Sequence, residues 1–172
     1  MKRRRKTSPK FVPVQELRRL CASPRAKDRL AAIAAMRDQS WPRLPRSYLD
    51  LATKLIEDSN NDCRWQALIL TKDYMEKEAA AVWAIIFRHA GSEDEDMRMG
   101  IACCLLEHMN WTRFDAFLRR LKRLVKKCGP NAKDTISHCW FDDMNPRQQK
   151  LVSRLVGRRM WFPSRDAHAE SR

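Results

Sequence analysis

Three short segments of this chain open with the same chemistry at nearly the same interval, and that interval restricts the fold more than any other feature. Asp96-Met97-Arg98-Met99-Gly100-Ile101-Ala102 follows Asp62-Cys63-Arg64-Trp65-Gln66-Ala67-Leu68, which in turn follows Lys27-Asp28-Arg29-Leu30-Ala31-Ala32-Ile33. Their arginines, Arg29, Arg64 and Arg98, stand 35 and 34 residues apart. A degenerate fourth copy, Ala132-Lys133-Asp134-Thr135-Ile136, puts Thr135 37 residues after Arg98. Self-similarity at this interval is the mark of stacked supersecondary units, each with too much apolar surface to stand alone.

The units are helical. Four glycines in 172 residues leave few of the turns a sheet needs, and Ala, Leu, Arg, Lys and Met, which dominate, form helices readily. Apolar residues spaced three and four apart predict helix pairs at 14–21 and 26–38, at 47–58 and 62–76, at 78–90 and from Asp96, and at 111–127 and 131–141. Pro42, Pro45, Gly91 and the Gly129-Pro130 step separate them, while Ser47, Asn60 and Asn110 stand where caps are expected. Residues 78–90 are apolar almost all round, so that helix is predicted to be the most enclosed. Four carboxylates, Glu93 to Asp96, suit a helix amino end better than a divalent-metal site, because consecutive helical positions point in different directions. Pro146 opens a last helix to about Arg159, whose Leu151, Val152, Leu155 and Val156 can cover the end of the core.

Helix pairs of this length, whose second helix begins Asp-x-Arg and continues with Ala and Leu, resemble HEAT-like repeats. The resemblance rests on Asp62-Cys63-Arg64-Trp65-Gln66-Ala67-Leu68, Asp96-Met97-Arg98 and, more weakly, Lys27-Asp28-Arg29-Leu30. Thr135 departs from the pattern. It implies an all-α, right-handed α-solenoid of about four helix pairs over residues 14–160, closed by a C-terminal capping helix, with the second helices lining its concave side. It also implies that Asp62, Arg64, Asp96 and Arg98 tie successive repeats by charge-assisted hydrogen bonds. Residues 1–13 then form a disordered basic arm and residues 161–172 a flexible tail.

Charge points to the partner. The formal net charge is +14, and it is unevenly placed: residues 1–46 carry 14 basic and 3 acidic groups, 47–110 carry 6 and 12, and 111–172 carry 15 and 6. Positive charge in two blocks suggests nucleic acid, an anionic surface or an acidic protein without choosing among them. The basic helix faces and the basic arm put nucleic acid ahead of an acidic protein. In the helix at 111–127, Trp111, Phe114, Phe117, Leu118, Leu121, Leu124 and Val125 take one side, while Arg113, Arg119, Arg120, Arg123, Lys126 and Lys127 take the other. Arg147, Lys150, Arg154 and Arg158 form a positive side on the last helix, and Lys2, Arg3, Arg4, Arg5 and Lys6 make the arm basic. The nucleic-acid-binding candidates are therefore Lys2 to Lys6, Arg119, Arg120, Arg123, Lys126, Lys127, Arg147, Lys150, Arg154 and Arg158. A protein-interaction scaffold, using the acidic centre and the concave helices, is the first alternative.

Catalytic signatures are weak. There is no phosphate-binding glycine loop and no Gly-x-Ser-x-Gly elbow, and the six cysteines lack Cys-x-x-Cys spacing, so reduced structural thiols are expected, with no metal and no cofactor. His138 with Asp142, and Cys139 with Asp143, are four apart, but a zinc site usually needs three or four ligands. Asn110-Trp111-Thr112-Arg113-Phe114-Asp115 is similar to the Trp-x-x-x-Asp segment of HEAT-like DNA glycosylases that remove alkylated bases. That resemblance makes Trp111 and Asp115 an alternative catalytic pair, against the plainer reading of a core tryptophan and a first-turn acid. The longest apolar run, residues 79–87, falls far short of the ~20 needed to span a bilayer. No membrane partner is expected, and the location is cytoplasmic, or nucleoid or nuclear if nucleic acid is bound.

Overall fold

The structure, a computed structural model, describes residues 11–40, 44–109, 113–141 and 144–157. Among them are eight α-helices and no strand: α1 (Val14–Cys21), α2 (Ala26–Ser40), α3 (Arg46–Leu55), α4 (Asn61–Lys72), α5 (Ala79–His89), α6 (Glu95–Cys104), α7 (Phe114–Ser137) and α8 (Pro146–Val156). A 3₁₀ turn, Leu106–His108, follows α6. The chain is all-α, and its helices fall where the apolar spacing and the Pro and Gly breaks put them. Residues 1–10 and 158–172, which hold most of the expected arm and the tail, lie outside the described residues.

Caps show how local chemistry sets these boundaries. The Asn60 side chain accepts the Cys63 N–H at the start of α4, Asp94 accepts from Asp96 and Met97 at the start of α6, and Asn145 forms a capping box with Gln148 at α8. Each satisfies amides that the first helical turn leaves open. Ser47 is not a cap: α3 begins at Arg46, because Pro45, with φ −62° and ψ 134°, already sets the entry and leaves Ser47 inside the first turn. Asn110 lies outside the described residues, and α7 starts after Arg113 with no side-chain cap. Within α7 the backbone breaks at Gly129, with φ 65° and ψ −146°, a conformation that essentially only glycine adopts. Pro130 then opens residues 130–137 as a second segment, so the expected stop is present as a kink.

The chain divides into two compact units, Met1–Asp73 and Tyr74–Arg172. In the first, α1 packs on α2 and α3 on α4, and the two hairpins meet through α2 against α4 and α1 against α3. Leu17, Ile33, Met36, Leu49, Ile56, Leu68 and Leu70 are fully enclosed there. Each such side chain contributes roughly 1.5–3 kcal/mol of burial. In the second unit α6 packs on α5 and α7, α5 also meets α7, and α8 lies on α7. Trp83, Phe117 and Phe141 run through that core with centroids about 6 Å apart, Phe117 and Phe141 edge to face. The α5 helix is less enclosed than its composition predicts: Ala80, Ala84 and Arg88, one turn apart, face solvent, and the alanines expose too little apolar surface to demand cover.

The repeated arginines do one job three times. Arg29 Nη1 donates to Ser23 O at 2.8 Å, Arg64 Nη1 to Asp58 O at 3.3 Å and Arg98 Nη1 to Ser92 O at 2.8 Å, in each case six residues back. Each guanidinium thus satisfies a carbonyl of the turn that precedes its helix. The carboxylates seen joining copies come from different places, a turn in one case and the helix acid of the fourth copy in the other. Arg29 pairs with Asp58, in the turn before α4, and Arg98 with Asp134. Thr135 is fully buried, and its hydroxyl lies 2.7 Å from Ala90 O and 3.0 Å from Asn131 O.

Candidate functional site

The α7 helix owes its place to one apolar stripe. Phe117, Leu118, Leu121 and Leu124 are buried against the rest of the second unit, and the residues between them are left outside. Those residues are mostly cationic: Arg113, Arg119, Arg120, Lys122, Arg123, Lys126 and Lys127 are all exposed. Within residues 113–128 they meet a single acidic residue, Asp115. Among the described residues no carboxylate pairs with any of the seven. Like charges one turn apart, such as Arg119 with Arg123 and Lys122 with Lys126, cost a helix ~0.2–0.5 kcal/mol per pair. The face therefore carries a repulsion that an external anion would relieve.

Three of the cations are positioned by rings of α5. The Arg120 guanidinium lies 5.0 Å from the Trp83 centroid, Arg123 6.0 Å from that of Phe87, and the Lys127 ammonium 5.8 Å from that of Phe87. Cation–π attraction at exposed sites is modest, about 0.5–1 kcal/mol, but it fixes the direction of side chains that would otherwise sweep through solvent. Gly91 makes the α5 end approach possible: a Cβ there would meet the Cys128 Cβ at 2.8 Å. Lys122 belongs to this face and carries a visible signal in sequence, one turn before Lys126.

The last helix adds a second wall. Val152 and Val156 of α8 are buried while Arg147, Lys150 and Arg154 are exposed. Between α7 and α8 lies a cleft of about 620 Å³ lined by Arg113, Asp115 and Arg119 from one side and Asn145, Arg147 and Gln148 from the other. The packing of α8 on α7 thus brings together Arg119 and Arg147, which sequence places 28 residues apart. Lys150 and Arg154 continue the positive side of α8 beyond the cleft. Lys2 to Lys6, Trp111 and Arg158 lie outside the described residues. Asp115 is exposed in the first turn of α7, with three guanidinium groups lining the same cleft. That setting offers an incoming cation more opposing than favourable charge.

The thiols are suited to packing. All six cysteines are free, and Cys63, Cys104 and Cys139 are buried. Burial pushes the Cys21 thiol up to about 11 and raises those of Cys63, Cys103, Cys128 and Cys139. Their reactive thiolate forms are accordingly disfavoured near neutral pH. His138 faces Asp134 at 3.3 Å, whereas Asp142 and Asp143 lie outside the described residues. Among the described residues no group of three His, Cys, Asp or Glu side chains could hold a metal ion, and no helix is long and apolar enough to cross a membrane.

Comparison of the chain with protein-family models, with curated proteins and with solved structures finds no match.

Proposed function

We propose that this chain is a HEAT-like repeat module, a short α-solenoid without catalytic activity, that binds an acidic partner, and that the partner is nucleic acid held by its phosphates. The solenoid reading is supported by the two hairpins stacked first helix on first and second on second in the Met1–Asp73 unit, and by the common arginine contact six residues back. The observation that carries the function is the α7 face: seven exposed cations unanswered by any described carboxylate, continued by Arg147, Lys150 and Arg154. Residues 113–127 extend over roughly 21 Å at 1.5 Å per residue, a straight cationic edge suited to a regular row of phosphates. Trp83 and Phe87, the rings that Arg120 and Arg123 lie over, belong to α5 beneath the face rather than to the face itself, so contacts to backbone phosphate, tolerant of sequence, fit better than base stacking.

Binding to a generic DNA duplex tests this reading. If about four cations meet phosphates, affinity falls by roughly 10²-fold between 50 and 200 mM salt. Charge reversal at Arg119, Arg120 and Arg123 should abolish binding while leaving urea unfolding within about 1 kcal/mol of the parent. No binding at low salt would refute the nucleic-acid reading, and salt-insensitive capture of one protein would replace it with the scaffold.

A further inference from the structure

The cleft between α7 and α8 has a composition that the open ridge lacks. Three guanidinium groups, from Arg113, Arg119 and Arg147, line one concavity of about 620 Å³ together with two carboxamides. The carboxamides are already oriented. Asn145 Oδ1 accepts the Gln148 N–H at 3.0 Å and Gln148 Oε1 accepts the Asn145 N–H at 2.9 Å. That capping box orients both oxygens away toward the backbone amides they accept from and leaves the two NH₂ groups as donors for a ligand. The site is consequently rich in donors, with Asp115 the one carboxylate lining it.

Counting charge narrows the ligand. Three guanidinium groups against one carboxylate leave a surplus of two positive charges. A phosphodiester carries one negative charge, whereas a phosphomonoester carries about 1.5 to 2 near neutral pH and has three terminal oxygens to accept hydrogen bonds. Arginine's planar fork is matched to such oxygens, and a concave setting with low-dielectric walls strengthens the field. We propose that the α7–α8 cleft is a phosphomonoester site, taking the phosphorylated end of a nucleic-acid strand, with Arg113, Arg119 and Arg147 as its charged contacts. Asp115 then accepts a hydrogen bond from a hydroxyl of the adjoining sugar. The site rests on the acidic-partner reading and deepens it: the ridge holds the strand and the cleft recognises where it stops.

The test compares two duplexes identical except for a 5′-phosphate or a 5′-hydroxyl, each binding the full chain at moderate salt. The phosphorylated duplex should bind about tenfold more tightly, the effect of one or two charge-assisted hydrogen bonds. Arg147→Gln should bring that ratio to about one. Reversal at Arg123, Lys126 and Lys127, outside the cleft, should weaken both duplexes and keep the ratio. A nucleoside 5′-monophosphate at millimolar concentration should raise the melting temperature of the parent and not of Arg147→Gln. Should it do so while the two duplexes bind equally, the phosphomonoester site stands with a free nucleotide as its source. Equal duplex affinities with no thermal shift would overturn the proposal while leaving the ridge intact, and failure of either duplex to bind at low salt would instead sink the nucleic-acid reading.

Discussion

The two units fasten their repeated segments with the same residue types to different effect. In the first, Arg29 grips Asp58 with two prongs, Nε to Oδ2 at 2.6 Å and Nη2 to Oδ1 at 2.8 Å, and the side chains are only 12% and 6% exposed. In the second, Arg98 makes one hydrogen bond to Asp134, at 3.0 Å, and that carboxylate is 34% exposed and shared with His138. The second junction recovers strength from neutral groups. Thr135 Oγ1 reaches Ala90 O, and Asn131 Nδ2 lies within 3.3 Å of Gly91 O, Ser92 O and the Glu93 carboxylate. Loss of arginine at the fourth copy is thus compensated by a buried hydroxyl at the same place in the repeat. One junction depends on an enclosed ion pair and the other on a set of smaller contacts.

Removing each partner should expose that contrast in urea unfolding of the full chain. Asp58→Ala leaves the Arg29 guanidinium enclosed without its carboxylate and strips a partner from the Asn60 N–H. A loss of about 2–3 kcal/mol is expected, below the figure for deeply buried pairs because solvent reaches the edge of this one. Thr135→Val keeps the shape and removes the hydroxyl, leaving Ala90 O unsatisfied, for about 1–2 kcal/mol, and Thr135→Ser should restore most of it. Asp134→Ala should cost about 1 kcal/mol or less, the range of a partly exposed pair. If Asp134→Ala proved costlier than Asp58→Ala, the contrast between enclosed and distributed junctions would fail.

Much of this arrangement is written in the sequence, and the part that is not has an identifiable reason. Helix positions are legible because the 3.6-residue apolar spacing and the Pro and Gly breaks act locally, as at Gly129-Pro130. The equivalence of Arg29, Arg64 and Arg98 is legible because the contact six residues back is also local. Their carboxylate partners are not: Asp58 lies six residues before Arg64 but Asp134 lies next to Thr135, so no fixed offset announces them. Ser47 misleads because serine before a helical run is a common cap, and only the backbone shows Pro45 taking the entry instead. The α7 ridge follows from a helical projection, Lys122 included. The cleft does not, since the meeting of Arg113 and Arg119 with Arg147 depends on how α8 lies on α7.

Acid offers the gentlest way to sharpen the same comparison. At Asp58 burial favours the neutral acid, but hydrogen bonds from Arg29 and the Asn60 amide and the charges of Arg29 and Arg64 outweigh it, holding the carboxyl below its ordinary value. At Asp134 burial likewise raises, while Arg98 and His138 lower, and the net direction is again down. A carboxyl depressed in the folded state contributes stability that is fully present above its unfolded pKa, near 4, and is lost as the pH falls through the folded value. Stability should therefore decline below about pH 4, and Asp58→Asn, which cannot titrate, should flatten that decline more than Asp134→Asn. Protonation should do less damage than either truncation to alanine, because a neutral carboxyl still accepts a hydrogen bond from its arginine. Equal flattening by the two asparagine variants would mean that enclosure at Asp58 adds nothing to the junction beyond what a half-open pair supplies.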